Sequence, residues 1–576
     1  MGIPSYFSYI VKNHSRIIQK LTKKSQTTAE TGVNHLYLDC NSIIYDAVHT
    51  IDFSKLIETD VKTIIRFVFQ KIEEYIALIQ PDTNIFIAFD GVAPVAKLDQ
   101  QRERRYKSFY QAEILKSIFE NSSKDQSSGK KDAWNTAAIT PGTTFMKELS
   151  DSTRNYFNDP KKYGVKKIII SPSDEYGEGE HKLFQYIRKY PEEHSGSKTV
   201  IYGLDADLIM LSINHLPVAK EIYLFRETPH FIQSINKDLE PNESYLLDIP
   251  ELARIITEDM QNGQDSQINR IYDYIFLCFF LGNDFLPHFP AANIRTGGVD
   301  KMLNAYKATI GSSKEVLTDG KTIYWKNVRK IVQYLANLEE EYFKNEIKLR
   351  NKREKFYYPT DTPENIYKKF DAIPTYEREL EKRIDPFKAG WKERYYKCLF
   401  VFPLHLCTFK TPLSGAVMNG EGVADCAFEM RNGVKNDSEK EIEKISMNYL
   451  EGLEWTMKYY TTDCPNWRWS YKYSYPPLFS DLIRYIPIFE RELVPFVQPQ
   501  PVIPLVQLCY VLPFHSLKLL PNELYNKLSS EYAHWYQTDC EFVWAFCKYF
   551  WESHVQLPEI EISELETLVS MHLKTA

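Results

Sequence analysis

Nine cysteines are all that the 576 residues carry, and none stands at a short paired spacing. That excludes a disulfide framework; several lie inside apolar runs such as Phe276 to Phe280, and the set (Cys40, Cys278, Cys398, Cys407, Cys426, Cys464, Cys509, Cys540, Cys547) reads as reduced, buried thiols. Long apolar runs are also missing. The longest, such as Ile275 to Leu281, fall far short of the ~20 residues that span a bilayer. The start, MGIPSYFSYI, lacks a cationic segment, an apolar stretch and a small-residue cleavage site, so it is no secretion signal. Tyr6 stands where myristoylation wants Ser or Thr. A surplus of positive charge is lacking too: 70 Lys and Arg against 77 Asp and Glu leave a net charge of −7, so any binding of nucleic acid needs local basic patches. What is present is core-building material, with 43% hydrophobic, 26% charged and 14% aromatic residues, which excludes wholesale disorder. The length excludes a single small module and allows about three domains or one large elaborated core. These features predict a soluble, intracellular protein.

The first half alternates short β-rich apolar runs with helix-period segments, the pattern of a mostly parallel sheet covered by helices. Strands are expected at Leu36 to Leu38, Ile85 to Phe89, Lys167 to Ile170 and Val200 to Tyr202, with one long helix from Val95 to about Phe119. Asn121 to Asp132 reads as a surface loop. Asp300 to Arg353 reads as helical and charged, Glu354 to Pro386 as a connector, and Pro412 to Asp437 as a second polar loop. Helices are expected at Ser438 to Thr461, with Ser438 as N-cap, at Pro477 to Tyr485 and at Ser529 to Trp551. The domain reading is 1–345, a connector 346–390 and a helical region 391–576.

Five segments place carboxylates at strand ends or after an apolar run: LDCN (Asp39), AFDG (Asp90), GEGEH (Glu178, Glu180), GLDADL (Asp205, Asp207) and FFLGNDFLPH (Asp284). In open α/β sheets, ligands collect at the carboxyl ends of strands, so these seven acids converge on one crevice. On an extended segment Asp205 and Asp207 would project to one side. Taken singly, an acid at a strand end is most often an N-cap, and Glu178 with Glu180 suits a helix start. Five such segments together favour a shared centre. Their mutual repulsion calls for divalent cations, and hard oxygen donors select Mg²⁺ or Mn²⁺ over zinc. Two ions about 3.5 to 4 Å apart are the usual apparatus for phosphodiester hydrolysis. His181 is given no metal role and reads as a surface residue.

Just after AFDG, Lys97, Gln101, Arg104 and Arg105 fall on one helical face. Beside an acidic centre, such a stripe can hold a terminal phosphate through Arg forks; alone it would read as a solvated face. Further on, Trp467, Trp469, Tyr471, Tyr473 and Tyr475 interleave with Arg468 and Lys472, a pattern that suits stacking of single-stranded bases and equally a strand with one buried face.

These residues carry a resemblance. MGIPSYFSYI, LYLDCN, FDGVAPVAKLDQQRERR, ITPGTTFM, GEGEHK, YGLDADLIML and FLGNDFLPH, followed by GWKERYY, YLEGLEWTMKYY, NWRWSYKYSYPP and YVLPFHSLKLLP, resemble the Xrn family of 5′→3′ exoribonucleases, in order and over nearly the whole chain. The resemblance implies a PIN-like, FEN-like α/β nuclease sheet whose active site is closed by a second, largely helical conserved region. Its metal ligands correspond to Asp39, Asp90, Glu178, Glu180, Asp205, Asp207 and Asp284, and its 5′-monophosphate pocket to Lys97, Gln101, Arg104 and Arg105. It further implies a monomer that degrades single-stranded RNA processively to mononucleotides in RNA decay, using two Mg²⁺ ions that Mn²⁺ can replace. Where the family's first motif continues Asn-Gly and ends on a stacking His, this chain has Asn41, Ser42 and Tyr45. Tyr45 can still stack on a base, with Trp469 or Trp467 as the opposite wall and Trp469 preferred. The zinc-knuckle cysteines of the nuclear branch are missing, as are the β-barrels of the cellular cytoplasmic enzyme. The expectation is a minimal, cytoplasmic core near the cytoplasmic branch, of the kind a virus or compact genome carries. Two other readings compete: a flap-type DNA endonuclease, whose helix-hairpin-helix clamp is not found here, and a catalytically silent RNA-binding scaffold, against which all seven carboxylates speak.

Overall fold

The computed structural model describes residues 3, 5–21, 32–51, 61–122, 134–260, 270–400, 435–497 and 500–575. Seven strands form its main sheet: β1 (Ile18–Lys20), β2 (His35–Asp39), β3 (Asn84–Ala88), β4 (Lys167–Ser171), β5 (Lys198–Tyr202), β6 (Glu221–Glu227) and β7 (Ser244–Asp248), in the order β1-β7-β6-β5-β2-β3-β4. From β6 through β4 every pairing is parallel, while β7 and β1 extend the β6 edge in antiparallel fashion. The four strands expected from sequence are the contiguous parallel set β5, β2, β3 and β4.

Every residue of β2 and β3 is buried, which explains their unbroken apolar runs: a parallel sheet is covered on both faces. The two-residue period of a strand then sorts its side chains. Tyr37, Phe86 and Ile201 face one core, packed by Leu183, Phe184 and Ile187 of helix Gly179–Lys189. Leu36, Leu38, Ile85, Ile87 and Val200 face another, covered by helices Asn41–Thr50, Val61–Ile79 and Thr144–Tyr156. The first core runs on without interruption into the second half of the chain, through helices Trp325–Arg353 and Lys435–Thr461.

The long helix spans Val95–Ser122, close to its expected range. The second long helix begins at Lys435, so Ser438 lies inside it and does not cap it. Ser529 to Trp551 is not a helix. Helix Asn522–Ser530 stops there, and a two-stranded ribbon follows, β8 (Glu541–Val543) against β9 (His554–Gln556). Two forces override the helical pattern. Phe542, Phe550 and Val555 bury themselves against Tyr106 and Tyr110, and the backbone at Phe546 and Cys547 is held by Glu381, which accepts from Phe546 N at 2.8 Å, and Arg350, which donates to the Cys547 carbonyl at 2.8 Å. Phe546 takes φ +64°, incompatible with a continuing helix.

The expected loops Asn121 to Asp132 and Pro412 to Asp437 lie largely outside the described residues, as do Cys407 and Cys426; the described ends of both loops are helical. The seven described cysteines are free thiols, five of them buried. Among the described residues no helix is long and apolar enough to cross a membrane.

Candidate active site

The carboxyl ends of β2, β3 and β5 point to one edge of the sheet, and the acids cluster there. Asp39 is the last residue of β2, Asp90 follows β3, Asp205 follows β5, and Asp207 opens helix Asp207–His215. The turn and helix start between Asp205 and Asp207 replace the expected extended segment. Glu178 is the N-cap residue of helix Gly179–Lys189 and Glu180 lies in its first turn. Asp284 comes from the segment after helix Ile271–Phe279.

Asp90 is fixed on three sides. Its two carboxylate oxygens accept from Gly179 N at 2.7 Å and from Asn41 Nδ2 at 2.5 Å, while its own N–H donates to Asn41 Oδ1 at 3.0 Å. The bond to Gly179 sets an anion on a helix N-terminus, where the orphan N–H and the dipole both favour it. Gly179 allows this closeness: a Cβ there would lie 2.5 Å from Asp39 Oδ1 and 3.4 Å from Asp90 Oδ1. Glu178 accepts from Tyr459 Oη at 2.9 Å, and Tyr460 presents its hydroxyl to Asp207. The ammonium of Lys97 stands 2.5 Å from Glu178 Oε1 and 2.6 Å from Asp284 Oδ2.

The electrostatics follow from burial and crowding. Burial, then Asp90 and Asp205, push the carboxyl of Asp39 well above its usual range; burial and Asp207 do the same to Glu180. Burial and Asp284 raise Asp207 to about 7. Burial would raise Asp284 as well, but the Lys97 ammonium outweighs it and holds that carboxyl below the usual range. Among the described residues, then, positive charge falls short of what these acids need. Asp39 Oδ1, Glu180 Oε2 and Asp207 Oδ1 are buried with no hydrogen-bond partner among the described residues, an arrangement that costs several kcal/mol per charge unless a cation completes it. An all-oxygen donor set with open lone pairs fits a hard divalent cation. Among the described residues no three His, Cys, Asp or Glu side chains already stand at the spacing of a cage for one ion. Lys97 lies between two of the acids that would contribute.

Lys97, Gln101, Arg104 and Arg105 all lie on helix Val95–Ser122. Lys97 is buried within the acid cluster. Arg104 is near enough to Asp205 and Asp284 to stabilise both charges, and Arg105 donates to Thr140 Oγ1 at 2.5 Å and sits near Tyr45. The opposite face of the helix is anchored to the C-terminal part: Arg102 donates to the carbonyls of Pro558 and Trp535 at 2.8 and 2.9 Å.

Residues 1–228 match the family profile described as the XRN 5′-3′ exonuclease N-terminus, and residues 266–372 and 420–574 match the Xrn1 helical domain. The chain belongs to the Xrn 5′→3′ exonuclease family. The 5′-3′ exoribonuclease 2 of Arabidopsis thaliana is 26% identical over 98% of this chain and 66% of its own length. The 5′-3′ exoribonuclease 2 homolog of Drosophila melanogaster is 26% identical over 98% and 70%. The 5′-3′ exoribonuclease 1 of Saccharomyces cerevisiae is 27% identical over 90% of this chain and 40% of its own length. The chain thus spans about two thirds of the first of these relatives and less than half of the last. Relatives bearing either number match at near-equal identity.

Of the aromatic residues expected to stack on bases, Tyr45 and Trp467 are partly exposed. Trp469 is 9% exposed and stacks on Trp455, with ring centroids 5.2 Å apart, in the core shared by the Xrn sheet and its helical region. The carbonyl of Trp467 accepts from Val95 N at 3.0 Å, which ties this segment to the start of the long helix. His181 is not at the surface: it is buried, stacks on Tyr459 at 3.8 Å between centroids, and burial with nearby Arg188 pushes its pKa well below the ordinary value, so it stays neutral. Three site residues escaped the sequence reading: Tyr459, Tyr460 and Lys182. Lys182 is buried and donates to the carbonyls of Phe89 and Pro172, both at 2.8 Å, bracing the backbone just before Asp90. The tyrosines lay in YLEGLEWTMKYY, a motif noted for its order along the chain, and nothing local marks their hydroxyls as facing acids in the first half.

Proposed function

We propose that this chain is a 5′→3′ exoribonuclease that engages single-stranded RNA at a 5′-monophosphate end and releases mononucleotides processively, in RNA decay. The supporting observation is an under-neutralised carboxylate cluster, met by the Tyr459 and Tyr460 hydroxyls on one side and by Arg104 of helix Val95–Ser122, near Asp205 and Asp284, on another. That relatives over most of the chain are 5′-3′ exoribonucleases supports the reaction class.

In this reading Asp39, Asp90, Glu178, Glu180, Asp205, Asp207 and Asp284 hold two divalent cations, Mg²⁺ or Mn²⁺. When bound, these supply water activation and stabilisation of the leaving oxygen. The chain's own residues do the rest. Asn41 and the Gly179 N–H fix the direction of Asp90, and Tyr459 fixes Glu178, so these oxygens are aimed before substrate arrives. Arg104, Arg105 and Gln101 bind the terminal phosphate, and their reach sets the first phosphodiester over the acids. Tyr45 and Trp467 stack the leading bases, Trp469 being occupied in the core. A silent scaffold would have no use for three buried carboxylate oxygens that have no partner among the described residues.

The test is a panel of 3′-labelled RNAs bearing a 5′-hydroxyl, monophosphate, triphosphate or cap, beside a DNA flap, incubated with Mg²⁺. Only the monophosphate RNA should shorten rapidly from its 5′ end. Arg104→Ala should cost roughly ten- to hundredfold in kcat/KM on that RNA, the size of one charged hydrogen bond, and little on 5′-hydroxyl RNA. Equal losses on both would reduce the stripe to general backbone attraction, and cleavage of the flap alone would replace the assignment.

A further inference from the structure

Lys97 belongs by sequence to the phosphate stripe and by position to the acid cluster. Its side chain is 10% exposed, and its ammonium bonds one oxygen of Glu178 and one of Asp284. The same ammonium lies 6.0 Å from the centroid of the Phe285 ring, which closes one side of it. Burial works against its charge, yet Asp284 and Glu178 overcome that and keep it protonated. Gln101 follows one turn on and Arg104 two turns on, about 6 and 10 Å along the axis, so a phosphate gripped by the long Arg104 side chain beside Gln101 lies one turn from Lys97.

Resting on the exoribonuclease reading above, we propose that Lys97 is an internal counter-ion that competes with a divalent cation for Glu178 and Asp284, and that a 5′-phosphate on the stripe draws it away. A phosphate held further along the stripe and the two carboxylates occupy different places, so the ammonium that moves to the one leaves the other. A divalent cation at Glu178 Oε1 and Asp284 Oδ2 and an ammonium 2.5 and 2.6 Å from the same oxygens repel each other, so the two compete for the pair. The two ligands are therefore coupled through a single side chain. Docking of the phosphate frees the carboxylates for metal, and metal at the carboxylates frees the ammonium for phosphate. Reciprocity is required thermodynamically. The coupling makes the site complete only on RNA with the correct end. A second consequence is that Glu178, once released, keeps its bond to Tyr459 and stays aimed.

The coupling is tested by Mn²⁺ binding, read from the electron paramagnetic resonance signal of free Mn²⁺, with no turnover required. The full chain is titrated alone and with a 2′-O-methyl, phosphorothioate-blocked oligonucleotide carrying either a 5′-monophosphate or a 5′-hydroxyl. In the wild type the monophosphate oligonucleotide should tighten Mn²⁺ binding about tenfold relative to the hydroxyl one, a usual coupling between two sites. Lys97→Met should bind Mn²⁺ about tenfold more tightly than wild type without RNA, and the two oligonucleotides should then act alike. Direct attraction between phosphate and cation would survive in the variant, whereas coupling through Lys97 would not. Superimposed wild-type titrations with the two oligonucleotides overturn the proposal and need no variant to fold. So does unaltered Mn²⁺ affinity in Lys97→Met. The RNA panel reports separately on the exoribonuclease reading: failure there with tighter Mn²⁺ binding in Lys97→Met would leave the counter-ion standing without its substrate.

Discussion

Gly179 has no side chain because Asp39 stands where one would go. The hypothetical Cβ, 2.5 Å from Asp39 Oδ1, is nearer than real Cβ contacts come, and Asp39 is short and buried at the end of β2. The residue nevertheless has ordinary helical backbone, so Ala at 179 is accepted by the helix and rejected by the acid. Its cheapest relief is to turn the Asp39 carboxylate away from its neighbours. Gly179→Ala should therefore fold with little change in melting temperature and lose on the order of a hundredfold in kcat/KM, the usual consequence of an ångström-scale misplacement. Full activity with an unshifted melting curve would mean that Asp39 does not need its present direction.

At the scale of elements, helix Lys435–Thr461 is as much a wall of the active site as the strands are. It brings Tyr459 to Glu178 and Tyr460 towards Asp207, and Tyr460 is also gripped through its carbonyl, which accepts from Asn214 Nδ2 at 2.8 Å. Tyr459→Phe keeps the ring that stacks on His181 and removes only the hydroxyl. A bond to a charged acceptor contributes roughly 1.5 to 3 kcal/mol, so exoribonuclease activity should fall about tenfold or more and the Mg²⁺ requirement should rise. An unchanged Mg²⁺ dependence would show that the hydroxyl does not aim Glu178. The contrast between strands and this helix explains what could be read beforehand. Apolar runs ending in Asp39 and Asp90 carry their meaning locally, since a parallel strand buried on both faces must be apolar throughout and its end must meet the crevice. β1 is a three-residue edge strand, and β6 and β7, although internal, carry polar and half-buried residues along their length, so none of the three has that signature. The partnership of Tyr459 with Glu178 joins positions 281 residues apart and is set by packing alone. So is the burial of Trp469 on Trp455, and the ribbon at Glu541–Val543, where the Arg350 and Glu381 pair captures backbone that periodicity assigns to a helix. The charge face of the long helix was legible as a face; that Lys97 turns inward depends on where Asp284 arrives from.

For the molecule as a whole, stability against pH is a contest between buried imidazoles and buried carboxyls. Burial, with Arg188 beside it, pushes His215 down to about 3; burial with Lys107 puts His554 at about 3, and burial puts His288 at about 4. Each stays neutral in the folded state while the unfolded chain takes up a proton near 6.5. Each therefore removes stability as pH falls from 6.5 towards 4, by up to about 1.4 kcal/mol per pH unit. Burial acts oppositely on acids, raising Glu339 to about 7 and Asp273 and Asp371 to about 6. Folded, these keep protons that the unfolded chain has released, so each adds stability as pH falls from its raised value to about 4.5. His181 joins the losses, and Asp39, Glu180 and Asp207 join the gains, so between about pH 6 and 4.5 the two classes oppose each other. The contribution of a single imidazole is therefore best read by difference. His215→Gln, whose amide oxygen can still accept from Arg188, removes one loss and leaves every other group in place. Its stability, whatever its level at pH 7, should rise by about 1.4 kcal/mol per pH unit relative to wild type as the urea midpoint is followed from pH 6 down to 4.5. Parallel profiles for the two proteins would mean that His215 titrates alike in both states and that its burial carries no proton linkage.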